Sequence, residues 1–138
     1  MADIHDIGPA ETWAALRLDA DARLVDVRTD AEWIYVGLPD TRETGREVVL
    51  VPWQLFPSMA VNQGFVPALA KAGVGPEHAV YFICRSGVRS LAAAVAAQAA
   101  GYARVFNVAD GFEGPVDAQG HRGQVAGWKA SGLPWAQR

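Results

Sequence analysis

The chain has 138 residues, a formal net charge of −3, 51% hydrophobic and 20% charged residues, a profile ordinary for one globular domain with a sizeable core and too short for two. The acidic balance argues against nucleic acid as the main partner, because a phosphate backbone calls for a basic face. A single cysteine excludes an internal disulfide and a Cys-rich metal site, and no apolar run approaches a membrane-spanning length.

The amino terminus, Met1-Ala-Asp-Ile-His-Asp, has neither a positive flank nor an apolar stretch, so no secretory signal is expected. With one thiol, a reduced, cytoplasmic setting fits best. Gly8-Pro9 followed by Ala10 to Leu16 predicts a short helix with Pro in its first turn. Leu24 to Val27 reads as a strand. Thr29 and Glu32 then have the spacing of a capping box, opening a helix through about Tyr35. Positions 37–47 contain Pro39, Gly45 and five charges and read as a surface loop. Val48 to Val51, a continuous apolar run stopped by Pro52, reads as a central parallel strand.

Trp53 to Met59 is an unusually apolar connection, read as a wall beside a site. Gly64 to Ala72 predicts a helix closed by Gly73, and Gly75-Pro76-Glu77 a turn. Val80 to Ile83 is a buried strand, and Leu91 to Ala100 an Ala-rich helix stopped by Gly101. Arg104 to Val108 is another strand. Positions 111–123 hold four glycines and a proline and are read as loop, with at most a short final helix over Ala126 to Ala130. Strands thus alternate with helices four times. That order predicts an α/β fold, with a central, mostly parallel sheet and helices on both faces, and the length predicts one domain over 1–138.

The segment Cys84-Arg85-Ser86-Gly87-Val88-Arg89-Ser90 joins the buried strand to the Ala-rich helix. Amide N–H groups in a helix's first turn lack intrahelical partners and carry partial positive charge, which favours an anion there. Gly87 allows loop angles that gather amides on one side. Arg85 and Arg89 add full charges, and there is no Asp or Glu between His78 and Ala109. A free thiol titrates near pH ~8.5, and two units of lowering require about 2.7 kcal/mol. A helix terminus supplies up to roughly 2 kcal/mol in a favourable geometry, so no histidine base is needed. In open parallel sheets ligands bind beyond the carboxyl ends of the strands. Sequence order places Cys84, Arg28 and Asp110 there.

At these residues the chain resembles the rhodanese-like sulfurtransferase family. The resemblance rests on the Cys-Arg-Ser-Gly-x-Arg-Ser loop after a strand, on Asp26-Val27-Arg28 followed by Glu32 and Trp33, and on the ending Gly127-Trp128-x-x-x-Gly132-Leu133-Pro134. It covers about Ile7 to Trp135. It implies a rhodanese-like three-layer fold and a double displacement, in which a sulfane sulfur passes from thiosulfate or a persulfide to cyanide or a thiol through a Cys84 persulfide. No cofactor is expected, and His5, His78 and His121 have neither ligand spacing nor clustered carboxylates, so no metal is expected either. The expected partners are a small sulfur-bearing anion or persulfide donor, a thiol or cyanide acceptor and a protein sulfur-relay partner, with neither nucleic acid nor membrane. Two departures stand out. Gly37 is followed by Leu38 where the family often has Gly-His, and Asp110-Gly111-Phe112-Glu113-Gly114 replaces a double glycine.

Cys84 is the expected nucleophile, and Arg85, Ser86, Gly87, Val88 and Arg89 form the expected substrate cradle. Arg85 is the candidate for attracting a sulfur-bearing anion. Arg89 either lines the cradle or braces the loop through a carboxylate, for which Asp26 is the natural candidate. Asp26 is favoured as a brace. Arg28 divides between a rim charge and a surface ion pair, with the surface reading preferred, and Ser90 supports the loop from behind. Glu32 reads as a helix cap rather than an acid catalyst. Most of the five tryptophans are assigned to the core, and His121 to solvent. The competing readings are a cysteine phosphatase, a non-catalytic binding domain and a redox sensor. The phosphatases of this fold have five residues between Cys and the closing Arg. Here there are four, Arg85 to Val88, a tighter cradle suited to one sulfur atom.

Overall fold

A computed structural model describes residues 3–137; Met1, Ala2 and Arg138, part of the expected 1–138 span and of the terminal segment read above, lie outside the described residues. The chain runs β1 (His5–Ile7), α1 (Pro9–Leu18), β2 (Ala22–Asp26), α2 (Asp30–Tyr35), β3 (Leu38–Pro39), a short 3₁₀ turn (Arg42–Thr44), β4 (Val49–Leu50), β5 (Gln54–Leu55), β6 (Ala60–Val61), α3 (Phe65–Lys71), β7 (Ala79–Ile83), α4 (Val88–Ala99), β8 (Arg104–Val108) and β9 (Trp135–Ala136). Five strands form one sheet in the order β1-β8-β7-β2-β4, and every pairing in it is parallel.

The centre of the sheet is β7, all of whose residues are buried, as expected for a parallel strand covered on both faces. Successive residues alternate between faces. Val25, Val80, Phe82 and Val105 pack with Phe65 and Leu69 of α3 and Ala93, Ala94 and Ala97 of α4. Leu24, Tyr81, Ile83 and Val108 pack on the other face with Leu16 of α1, Phe112 and Trp128. Helices therefore cover both faces. The alanines of α4 let it sit close on β7 and β8, and the left-handed Gly101 ends it.

Three expectations change, and one strand is added to them. β1 has no strong apolar pattern yet pairs with β8 and becomes an edge strand. The 48–51 run contributes only Val49 and Leu50 to the ladder and pairs with β2 alone, so it is an edge rather than a central strand; its apolar run reflects burial of the flanking Val48 and Val51 against the core. The Trp53–Met59 connection forms the hairpin β5–β6. Positions 126–130 are turns, because the segment is tied residue by residue to the 111–114 stretch, with Trp128 N–H bonding Gly111 O and Lys129 N–H bonding Phe112 O. A last small pair, β3 with β9, closes the carboxyl end antiparallel onto residues 38–39.

Candidate active site

Because the five strands are parallel, β2, β7 and β8 release Arg28, Cys84 and Asp110 at one edge. Cys84 follows β7 directly, and Gly87 caps α4 in the left-handed region at φ 110°, a conformation that costs glycine little. The three-residue excursion from Arg85 to Gly87 folds back over the sulfur. Gly87 N–H donates to Cys84 Sγ at 3.1 Å, and Ser90 Oγ lies 3.2 Å from the same sulfur. Cys84 is 1% exposed. Burial alone would also suit an inert core thiol; polar groups arranged on the sulfur itself do not follow from that role.

The loop is held from below by the segment after β8. Phe112 N–H donates to Cys84 O at 2.7 Å, and the N–H groups of Glu113 and Gly114 donate to Arg85 O at 3.0 and 3.1 Å. This contact requires glycine at 111. A Cβ there would fall 2.5 Å from Cys84 O and 2.6 Å from the Arg85 carbonyl carbon, at a φ of +64°. The 110–114 segment that departs from a double glycine thus still brings its backbone against the loop.

The two upstream charges are placed differently from expectation. Arg28 is fully buried, not a surface residue. Its Nε and Nη2 bond both oxygens of buried Asp26, at 3.0 and 2.7 Å, and Nη2 also donates to Gly37 O at 2.7 Å. The guanidinium lies 4.3 Å over the Phe112 ring, and its Nη1 has no hydrogen-bond partner among the described residues. Asp26 is a brace, but its partner is Arg28 and not Arg89. The reason is proximity: residues two apart at a strand end point to one side. Arg89 instead reaches α2, where Nη1 and Nη2 donate to the two Glu32 oxygens at 2.6 and 2.9 Å.

Glu32 does two jobs. With Thr29 it completes the capping box of α2, and it anchors Arg89 across 57 residues. Burial pushes its carboxyl up, but the Arg89 guanidinium and the Thr29 backbone outweigh that and hold it below the ordinary carboxylate range. The Arg89 guanidinium is correspondingly raised, first by its bond to Glu32, with smaller contributions from Cys84 and Asp26. Arg89 therefore ties the loop entry to the start of α2.

Arg85 and Val88 are exposed at the rim and Ser86 is half-buried. Ser90 is fully buried, and its Oγ also lies 2.5 Å from Asn107 Oδ1. Asn107 escaped the sequence reading, although a polar residue on the same strand face as buried Val105 was the available signal. The Trp53 ring packs edge-on against Phe65, while Phe56 is exposed and lines a shallow hollow with Thr29, Asp30 and Pro52 beside the start of α2. Of the tryptophans only Trp128 is fully buried; Trp135 is exposed and stacks under Lys129 Nζ at 3.9 Å. His121 is exposed in the late loop.

Residues 9–118 match the family model described as the rhodanese-like domain. An uncharacterized protein of Rickettsia conorii, RC0915, is 35% identical over 133 residues, covering 96% of this chain and 97% of that one. A rice protein named thylakoid rhodanese-like, chloroplastic, is 30% identical over 130 residues, 94% of this chain but 24% of its own length. Among solved structures, that of Rv0390 from M. tuberculosis superposes with a TM-score of 0.90 at 45% identity, covering 99% of this chain and all of that one. The polysulfide-sulfur transferase homodimer of Wolinella succinogenes gives a TM-score of 0.64 at 22% identity, over 99% of this chain and 80% of that one, a likeness of fold.

Proposed function

The chain belongs to the rhodanese-like family, a family of sulfurtransferase type, and from that premise we propose that it moves a sulfane sulfur from thiosulfate or a persulfide to a thiophilic acceptor, with Cys84 as carrier. The observation that carries this reading is the Cys84 sulfur itself. It sits at the entry to α4 with the Gly87 N–H and the Ser90 hydroxyl on it.

In the first half-reaction the Cys84 thiolate attacks the outer sulfur of thiosulfate. A bond forms between the two sulfurs, the sulfur–sulfur bond of thiosulfate breaks, and sulfite leaves with the electron pair. Cys84 then bears a persulfide whose negative charge lies on the outer sulfur. The first-turn amides of α4 and the Gly87 N–H supply fixed dipoles for that charge. In the second half-reaction cyanide or a thiol attacks the outer sulfur, and the thiolate is regenerated. Catalysis through a covalent carrier predicts ping-pong kinetics.

Arg85, exposed at the rim, draws in the anionic donor. Ser86, Gly87 and Val88 complete the cradle. Arg89 contributes charge while Glu32 fixes its place, and the Asp26–Arg28 pair fixes the end of β2 beside the loop. The reaction is assigned to the cytoplasm, with the whole chain acting as one domain, and a protein acceptor in a sulfur relay uses the same chemistry. No helix among the described residues is long and apolar enough to cross a membrane.

The near-complete burial of Cys84 favours one alternative, a non-catalytic binding domain. Intact-mass measurement separates the two. The reduced protein is treated with thiosulfate and then cyanide, beside Cys84→Ser. A gain of one sulfur atom, absent in the variant and removed by cyanide, is expected. If neither thiosulfate nor an organic persulfide loads Cys84, sulfur transfer is wrong and the binding reading stands.

A further inference from the structure

Among the described residues, both polar groups bonded to the Cys84 sulfur are held by one side chain that the mechanism above does not use. Asn107 lies on β8, nearly buried. Its Nδ2 donates to Gly87 O at 3.1 Å and to Asp6 Oδ1 of β1 at 2.9 Å. Its Oδ1 lies 2.5 Å from Ser90 Oγ. The two acceptors fix the amide's orientation, since turning it over would set Oδ1 against two oxygens. Oδ1 must therefore face Ser90. A serine hydroxyl has one proton to give, and the shorter contact, to Asn107, claims it. Toward the sulfur, Ser90 then offers a lone pair.

We infer that Asn107 is a positioning residue that acts through Ser90: by claiming the Ser90 proton it makes Ser90 an acceptor for the Cys84 S–H, and so favours the protonated thiol in the resting, sulfur-free protein. When the thiol proton leaves, the Ser90 hydroxyl must swing from Asn107 to the thiolate, giving up its bond to Oδ1. The persulfide makes no such demand, because its inner sulfur carries neither proton nor charge. Asn107 thus disfavours the free thiolate specifically and leaves the loaded state untouched. The inference rests on Cys84 being the reacting group. Its test reads thiol chemistry alone, so it succeeds or fails separately from sulfur transfer.

The test is the rate of iodoacetamide alkylation of the reduced, full-length protein across pH 5.5 to pH 9, read by intact mass. Asn107→Ala frees the Ser90 proton for the thiolate. Alkylation below neutrality is expected to quicken roughly fivefold, the worth of about one uncharged hydrogen bond, with the pH profile displaced to lower pH. Ser90→Ala is expected not to slow alkylation in the native background, yet to slow it when added to Asn107→Ala, where the hydroxyl has become a donor. That reversal of sign is not produced by a merely structural brace. An unchanged or slower Asn107→Ala protein overturns the inference, as does the same sign for Ser90→Ala in both backgrounds. If Asn107→Ala does not fold, Ser90→Ala decides alone: slower alkylation overturns the inference, and equal or faster alkylation supports it.

Discussion

Replacing Arg28 tests a fully buried charge beside the site. Arg28→Met keeps much of the side chain's volume but removes three bonds to the Asp26 carboxylate, one to Gly37 O and the ring contact with Phe112. Were the pair on the surface, its loss would cost about 0–1 kcal/mol. Both side chains are instead fully buried, so the substitution strands a carboxylate in the interior, at a cost of about 3–5 kcal/mol. For a chain of this length that corresponds to roughly 9–25 °C in Tm, at about 3–5 °C per kcal/mol. The assay is urea unfolding followed by tryptophan fluorescence, repeated with Asp26→Val alone and with both changes together. The double variant should recover at least half of the loss, since removing both charges ends the desolvation penalty; recovery is incomplete because Gly37 O loses its donor. A loss below about 1 kcal/mol for Arg28→Met, or a double variant no better than the single one, would refute the reasoning.

Arg89→Ala and Glu32→Gln, combined in a double-mutant cycle, should show a coupling of about 1–2 kcal/mol, above the usual exposed pair because the contact is bidentate and half-buried; a coupling under about 0.5 kcal/mol would count against it. The folded-state pKa of Glu32 is depressed, so its contribution to stability is fully present above the ordinary carboxylate range and is lost as pH falls through the lower, folded value. Acid unfolding should therefore become less steep in Glu32→Gln, and an unchanged acid limb would show that the bridge does not report on folding. Gly111→Ala should destabilise by about 2–4 kcal/mol, combining a left-handed alanine with a collision against the Cys84 and Arg85 carbonyls; a circular-dichroism melt within 2 °C of the native protein would contradict the packing. Arg85→Ala, at an exposed rim position, should leave stability within about 0.5 kcal/mol while raising KM for thiosulfate several-fold at low salt. An unaltered KM would remove Arg85 from donor capture.

What the sequence made legible was local. The capping box at Thr29 and Glu32, the glycine stop at Gly101 and the strand–loop–helix passage through Cys84 each depend on residues a few positions apart, and all three are present. The fold class followed from the same alternation. Partner choice was less legible. Asp26 had two arginines available, and the nearer one took it because both side chains leave the strand on one side. The Arg89–Glu32 contact depends on where α2 and α4 begin in space, which composition does not encode. β1 carries only three residues in the ladder, exposed on most of their surface, and its strand character comes from β8 rather than from its own pattern. Asn107 is uncharged and belongs to no motif, so its position became meaningful only when the strand set it behind the loop.

The pairing of β1 with β8 also bears on the order in which the molecule can be completed. His5 lies opposite Phe106, and Asp6 receives the Asn107 amide across 101 residues of chain. β1 therefore has no partner in the sheet until β8 is made, and closing so long a loop is entropically slow. Until β8 docks, Asn107 cannot hold Gly87 and Ser90 in place. The restraint that Asn107 places on the Cys84 thiol is thus acquired at the end of assembly, and Asp6→Ala in β1 should reach the thiol although it removes nothing that touches it.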